Sequence, residues 1–158
     1  VELGHPDEPA LDLLADYLSA SRSSVLDRVL ELEEELVTSV SIAHHVQERA
    51  GMLLLNLRPH AGVELGRIEA RVEELLAGVA RDGVDAARLA HHLRRREGEL
   101  FRSLETVAAR TSRIGHDNLF QRDPAALERE LERRRAVRAE DVGAVLARHV
   151  LQRPRVVL

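Results

Sequence analysis

The chain has no cysteine, no lysine, no tryptophan, and only two phenylalanines and one tyrosine among 158 residues. Each scarcity closes a class of function. Without cysteine there is no thiol nucleophile, no disulfide, no Cys-ligated zinc and no iron–sulfur cluster, and the redox compartment stays open. So few aromatic rings remove the stacking platforms on which single strands are usually held. The formal charge of -4, with glutamates interleaved among the arginines, removes the one-signed basic surface that phosphate backbones require. All 23 basic residues are arginine, a bias to which no function is attached here. No apolar run approaches the roughly 20 residues needed to span a bilayer, and no charged-then-apolar leader opens the sequence. There is no glycine-rich phosphate loop, no Gly-x-Ser-x-Gly elbow and no ladder of clustered acids. The expectation is a soluble segment with neither nucleic acid nor membrane as partner.

What remains suits one folded unit. A chain of this length buries roughly 70% of its unfolded surface and needs no staple. The first residues, 1–3, read as the end of a strand and 155–158 as a closing strand. Both ends look cut from a longer, multi-domain chain of which 1–158 is a single domain.

Residues 36–59 are the one long stretch with an apolar period of two, which predicts a hairpin. Leu36, Thr38, Val40, Ile42 and His44 share one face of the first strand, and a second run, 52–57, follows a polar link closed by Gly51. Helical spacing appears nearly everywhere else. It predicts helices over about 9–20, then from the serine-rich break at 19–24 to Glu33, then over 63–81, where Asp82 and Gly83 end the pattern. A long helix is expected from Asp85 to Ile114, bent at Gly98, followed by one opened by Asp123-Pro124 and a last one over 139–151. The order β-α-ββ-α-α-α-α-β predicts an α+β fold: an antiparallel or mixed sheet with helices mostly on one face, the 63–81 helix covering the hairpin.

Histidine is the residue to search for chemistry, since there are eight. His44-His45 and His91-His92 are adjacent pairs, which point apart on a strand and about 100° apart on a helix, so neither readily chelates one ion. No His-Glu-x-x-His occurs. The inverted form, His-x-x-Glu-His, has one near miss, His5-Pro6-Asp7-Glu8-Pro9, with proline where the last ligand belongs. A capped turn before the first helix is the favoured reading there, and surface or helix-end positions for His116 and His149. The runs 94–96 and 133–135 are all arginine, but glutamates flank them and Glu130 stands four residues before Arg134, so solvated helix faces are the favoured reading.

Several stretches together resemble the insulinase-like zinc metallopeptidases, the family of pitrilysin and the mitochondrial processing peptidase. They are Val1-Glu2-Leu3-Gly4-His5-Pro6-Asp7 leading to Ala10-Leu11-Asp12-Leu13-Leu14; Ser23-Ser24-x-Leu26 with Leu30; Leu36-Val37-Thr38-Ser39-Val40; Gly83-Val84-Asp85-Ala86 with Leu89; and Arg138-Ala139-Glu140-Asp141-Val142. Each is weak alone, and their order and spacing carry the likeness. The resemblance implies repeated α/β domains arranged as halves that close around a peptide, with the zinc motif in the first domain of the catalytic half. This chain is similar to a later, non-catalytic domain. It implies no catalytic residue and no metal ligand here, zinc in the parent or partner, and a catalytic-half domain or subunit and a peptide as partners, with self-association also open. The setting it implies is bacterial, in cytoplasm or periplasm.

Later domains of active relatives often carry Leu-Arg-Glu-x-x-Gly-Leu-x-Tyr at the helix-to-hairpin junction, where the Arg and Tyr reach substrate at the zinc. Here Leu30 and Leu36 match, but Glu31 holds the Arg position, Glu35 the Gly position and Thr38 the Tyr position. Glu31 and Thr38 are therefore the candidate substrate-facing residues. A carboxylate cannot replace a guanidinium that donates to a substrate carbonyl, so the resemblance implies a scaffold domain walling the chamber. The alternative is a stand-alone helical interaction module that has lost peptidase association.

Overall fold

A computed structural model describes Val1–Leu158 in full. The order is α1 (Glu8–Leu18), a π-helical segment Asp27–Glu33, β1 (Val37–Val46), β2 (Gly51–Pro59), α2 (Leu65–Asp82), α3 (Ala86–Ser103), α4 (Val107–Gln121), α5 (Ala126–Ala136), α6 (Ala139–Val145) and a second π-helical segment Leu146–Leu151. The α+β class expected from the sequence is the one observed. The strands form an antiparallel pair running from Val37 opposite Pro59 to Val46 opposite Gly51. No helix is long and apolar enough to cross a membrane.

The molecule is organised around α1 more than around the hairpin. Nine of its eleven residues are buried, the condition of a helix enclosed on all sides, and β1, α3, α5 and α6 all pack on it. Leu11, Leu14 and Leu18 join Leu26, Leu30, Leu36 and Val37 before the hairpin and Val142, Val145 and Leu146 near the C-terminus in one core. The bonds that tie helix to hairpin also come from α1: Ser19 Oγ donates to Val40 O at 3.3 Å, and Asp12 holds His44. Helix α2, expected to cover the hairpin, packs mainly on the segment 146–151.

Two expected strands do not form. Residues 1–3 lie beside the hairpin turn with one backbone bond, Leu3 N to Gln47 O at 3.0 Å, too little for a ladder. Gly51 is required for that approach, because a Cβ there would stand 2.0 Å from Val1 O. Residues 155–158 are exposed and unpaired; Arg155 instead reaches Glu69 at 3.2 Å and Glu73 on α2.

The long helix expected through Ile114 is two helices, and the break is at 104–106, not at Gly98. Thr106 Oγ1 accepts from Ala109 N at 3.1 Å, an N-cap that starts α4. Arg110 Nη1 donates to the carbonyls of Leu104 and Glu105, which the end of α3 leaves free. Past α4, Asp123 Oδ1 accepts from Ala125 N at 2.9 Å and shapes a turn, so α5 begins at Ala126, slightly later than the Asp-Pro signal suggests.

Candidate functional site

The junction between the Asp27–Glu33 segment and β1 holds both sequence-predicted site residues. Ser24 prepares it: its buried hydroxyl accepts from Ala20 N and Ser21 N and donates to Asp16 O, tying the linker to the end of α1. The helix then widens to π geometry and closes with Glu34 N donating to Val29 O and Leu36 N to Leu30 O. The second bond is one residue wider than the usual six-to-one closure of a helix end. Glu35 lies between these donors at φ 50°, the left-handed position where a helix end normally places glycine, and where the family motif has one.

Glu31 is half-buried on this segment. Burial is the largest cause and raises the Asp27 carboxyl, a bond from its own backbone lowers it, and the neighbouring Glu31 charge raises it again, leaving it above its ordinary value. Asp27 Oδ2 is buried with no partner. Strict alternation puts Thr38 on one strand face with Val40 and Ile42, but it is exposed where they are half-buried. The register slips between Val37 and Ser39, and one inserted residue reverses the inward and outward phase of what precedes it. Val37 therefore turns in and Thr38 out, with Thr38 Oγ1 donating to Arg58 O at 3.1 Å. No hydrogen bond joins Glu31 to Thr38.

A second polar centre was not foreseen from the sequence. Asp12 and Asp16 lie one turn apart on α1, a helix whose only other polar side chains are Glu8 and Tyr17, and each meets arginine. Arg96 donates to Asp16 Oδ2 at 2.7 Å through Nε and to Asp12 Oδ2 at 2.9 Å through Nη1. Arg134 reaches Asp12 at 3.4 Å and Glu130 at 2.6 Å, and His44 Nδ1 stands 2.8 Å from Asp12 Oδ1. The arginine runs are thus not simply solvated faces. Arg94 and Arg135 face out, while Arg96 and Arg134 turn in and Arg95 Nη1 donates to Ala20 O at 2.7 Å. The readable signal was the row of acids at four-residue spacing, Glu8, Asp12 and Asp16, in a mostly apolar helix, since buried carboxylates demand cations. Burial alone would raise the Asp12 carboxyl; the His44 bond and the charges of Arg96 and Arg134 outweigh it and hold Asp12 below its ordinary value.

This centre offers no nucleophile or base to a substrate. The His44 side chain is 3% exposed and its Nε2 is buried without a partner, so the Asp12–His44 pair joins α1 to β1. The His5 near miss is consumed by its loop: His5 Nδ1 accepts from Asp7 N at 3.0 Å, and Glu8 Oε2 accepts from Gly4 N at 2.7 Å. His149 Nε2 bonds Asp7 Oδ2 at 2.7 Å, and that bond is the main cause holding Asp7 low. No three His, Asp or Glu side chains converge as a metal site. Two hollows flank the centre. One, of about 50 Å³, lies between α1 and α5 among charged side chains that are largely already paired, Asp12, Glu130 and Arg134 among them. The other, of about 160 Å³, lies beside Val1 and Met52.

Residues 1–96 match the family described as Peptidase M16 inactive domain. Over 145 residues the chain is 29% identical to zinc protease YmxG of Bacillus subtilis (strain 168), a protein described as uncharacterized; the match covers 92% of this chain and 35% of that one. The chain therefore spans about a third of that relative's length. Among solved structures it superposes on a peptidase M16 inactive domain from Pseudomonas fluorescens with a TM-score of 0.80 at 18% identity, covering 95% of this chain and 36% of that one. A protease from Helicobacter pylori gives the same score and identity over 93% of this chain and 35% of its own. At such identity these two likenesses speak for the fold.

Proposed function

The chain belongs to the Peptidase M16 inactive domain family, and we propose that it is the non-catalytic domain of a zinc metallopeptidase, forming part of the wall of a chamber that encloses a peptide. The observation that carries this reading is the junction at 30–38. The backbone turn persists, with Glu35 still left-handed, while the side chains that would face a substrate have changed. Glu31 accepts hydrogen bonds where a guanidinium would donate them, and the Thr38 hydroxyl is spent on Arg58 O.

Zinc would be held by the catalytic half, whether on the same polypeptide or a second one. The residues of this chain do not fit the ion: His5 and Glu8 are used as turn caps, and no third ligand converges on them. Zinc supplies a polarised water for amide hydrolysis; what this domain supplies is enclosure, interdomain surface and exclusion of solvent. The test is reconstitution. Peptide hydrolysis by the catalytic half is measured with and without this chain, together with zinc per complex. The reading expects hydrolysis to depend on the chain while the zinc count follows the catalytic half alone. A catalytic half that is fully active without the chain would remove the chamber-wall role.

A further inference from the structure

Helix α4 is built inside out. Its inward face carries charge: Arg113 Nε donates to Asp117 Oδ2 at 2.7 Å, Arg113 also pairs with Glu130 on α5, and Asp117 is fully buried. Successive residues of a helix turn by about 100°, which places Val107, Ala108, Thr111, Ile114, Asn118 and Leu119 together on the opposite arc. All six are exposed and none is charged, in a chain that is 32% charged overall. Val107 is 71% and Leu119 66% accessible. Both phenylalanines of the chain are also exposed, Phe101 at 53% on α3 and Phe120 at 45% on α4, outside this arc. Contiguous exposed apolar surface of this kind marks an interaction site, and depletion of charge marks the core of an interface.

We propose that the outward arc of α4 is the surface on which this domain docks its catalytic half, a contact that rests on the non-catalytic-domain reading and gives it a location. Charge at the ends of the arc says what the partner presents. Arg122, just after α4, is exposed and has no carboxylate within ion-pair distance, and the one acid on α4, Asp117, is turned inward; before α4 stand Arg102 and Glu105, both exposed and opposite in sign. The complementary surface is apolar at its centre and acidic opposite Arg122, so charge at that end sets the orientation of docking. Such a partner is at hand in the relative, which is nearly three times as long as the stretch matched here.

The chain is titrated with the zinc-motif-bearing half of the same peptidase, and amide exchange is read across residues 100–122 with and without it. Binding that slows exchange on α4, and falls more than tenfold in I114D and in L119D while circular dichroism keeps the helix content, supports the assignment. R122E should weaken binding several-fold at low salt and little at high salt. Binding with protection elsewhere and unchanged affinity of the two aspartate variants would overturn the surface and leave the domain reading standing. No binding at all would overturn both. Self-association of the chain, or adsorption to phosphatidylserine-containing vesicles, abolished by the same variants would assign the arc to a second copy or to a lipid surface and overturn the proposal.

Discussion

His44 Nδ1 lies 2.8 Å from Asp12 Oδ1 and joins the first strand to the central helix. Because Asp12 is held ionised, the imidazole is the donor, which fixes its tautomer. Asp12 also takes Arg96 and Arg134, so three elements besides its own converge on one carboxylate. Replacing Asp12 with Ala should cost about 3 kcal/mol, the low end for breaking a buried pair, because Arg96 keeps Asp16 and Arg134 keeps Glu130. Urea unfolding at pH 7 measures it, and a loss below about 1 kcal/mol would show that the centre is dispensable.

The same residue sets an acid limit. Its folded-state carboxyl is lowered, so its contribution is complete above the unfolded value of about 3.9 and disappears as pH falls through the lower folded value. Stability should decline below about pH 4, and in Asp12→Asn the decline should be shallower. Parallel acid limbs in the two proteins would assign the lability to other carboxylates.

Asp27 gives the opposite sign. Burial is the largest cause raising its carboxyl, so its ionised form opposes folding above the unfolded value, and the effect vanishes in acid, where folded and unfolded chains both carry the proton. Asp27→Asn should raise the urea midpoint at pH 7 and leave it unchanged near pH 3. A midpoint that falls at pH 7 would mean that the carboxylate is stabilised by a contact the asparagine lacks.

Glu35 sits where the backbone wants glycine. A left-handed side-chain residue costs about 1–2 kcal/mol, partly offset by the entropy that glycine adds to the unfolded chain, so Glu35→Gly should stabilise by about 0.5–1 kcal/mol. Glu35→Ala keeps the strain and should show no such gain. Equal melting temperatures for all three proteins would argue that the left-handed turn is not strained.

How much could be read beforehand depended on whether neighbours in sequence were also neighbours in space. The hairpin was legible because its alternation is local, and Thr106 could have been read as a cap for the same reason. The face of Thr38 was not legible, since a bulge moves the phase without changing the composition of the strand. Terminal strands were over-read: β-branched residues favour extension, but a strand needs a partner edge, and 155–158 finds glutamates instead. The polar centre joins Asp12 to residues 32, 84 and 122 positions away, beyond any periodicity. Glu31 and Thr38 entered only through resemblance to a motif, and the structure brings their segments together at Leu30 and Leu36 without bonding one side chain to the other.

Glu31 decides whether this domain only encloses a peptide or also selects it. It is half-buried, with Asp27 close enough to feel its charge, so two acids stand together at the position that the resemblance aligns with an arginine. If the domain is only wall, Glu31→Ala in the full assembly should leave hydrolysis within a few-fold, because losing one partly exposed carboxylate typically shifts stability by less than about 0.5 kcal/mol. Were Glu31 to meet a basic side chain of the peptide, the same change would remove a charge-assisted contact of roughly 1.5–3 kcal/mol, more than tenfold in kcat/KM for basic peptides. The wall reading expects equal, small effects on matched basic and neutral peptides, with circular dichroism unchanged. A loss confined to the basic peptides would place substrate at Glu31 and move this domain from enclosure to recognition.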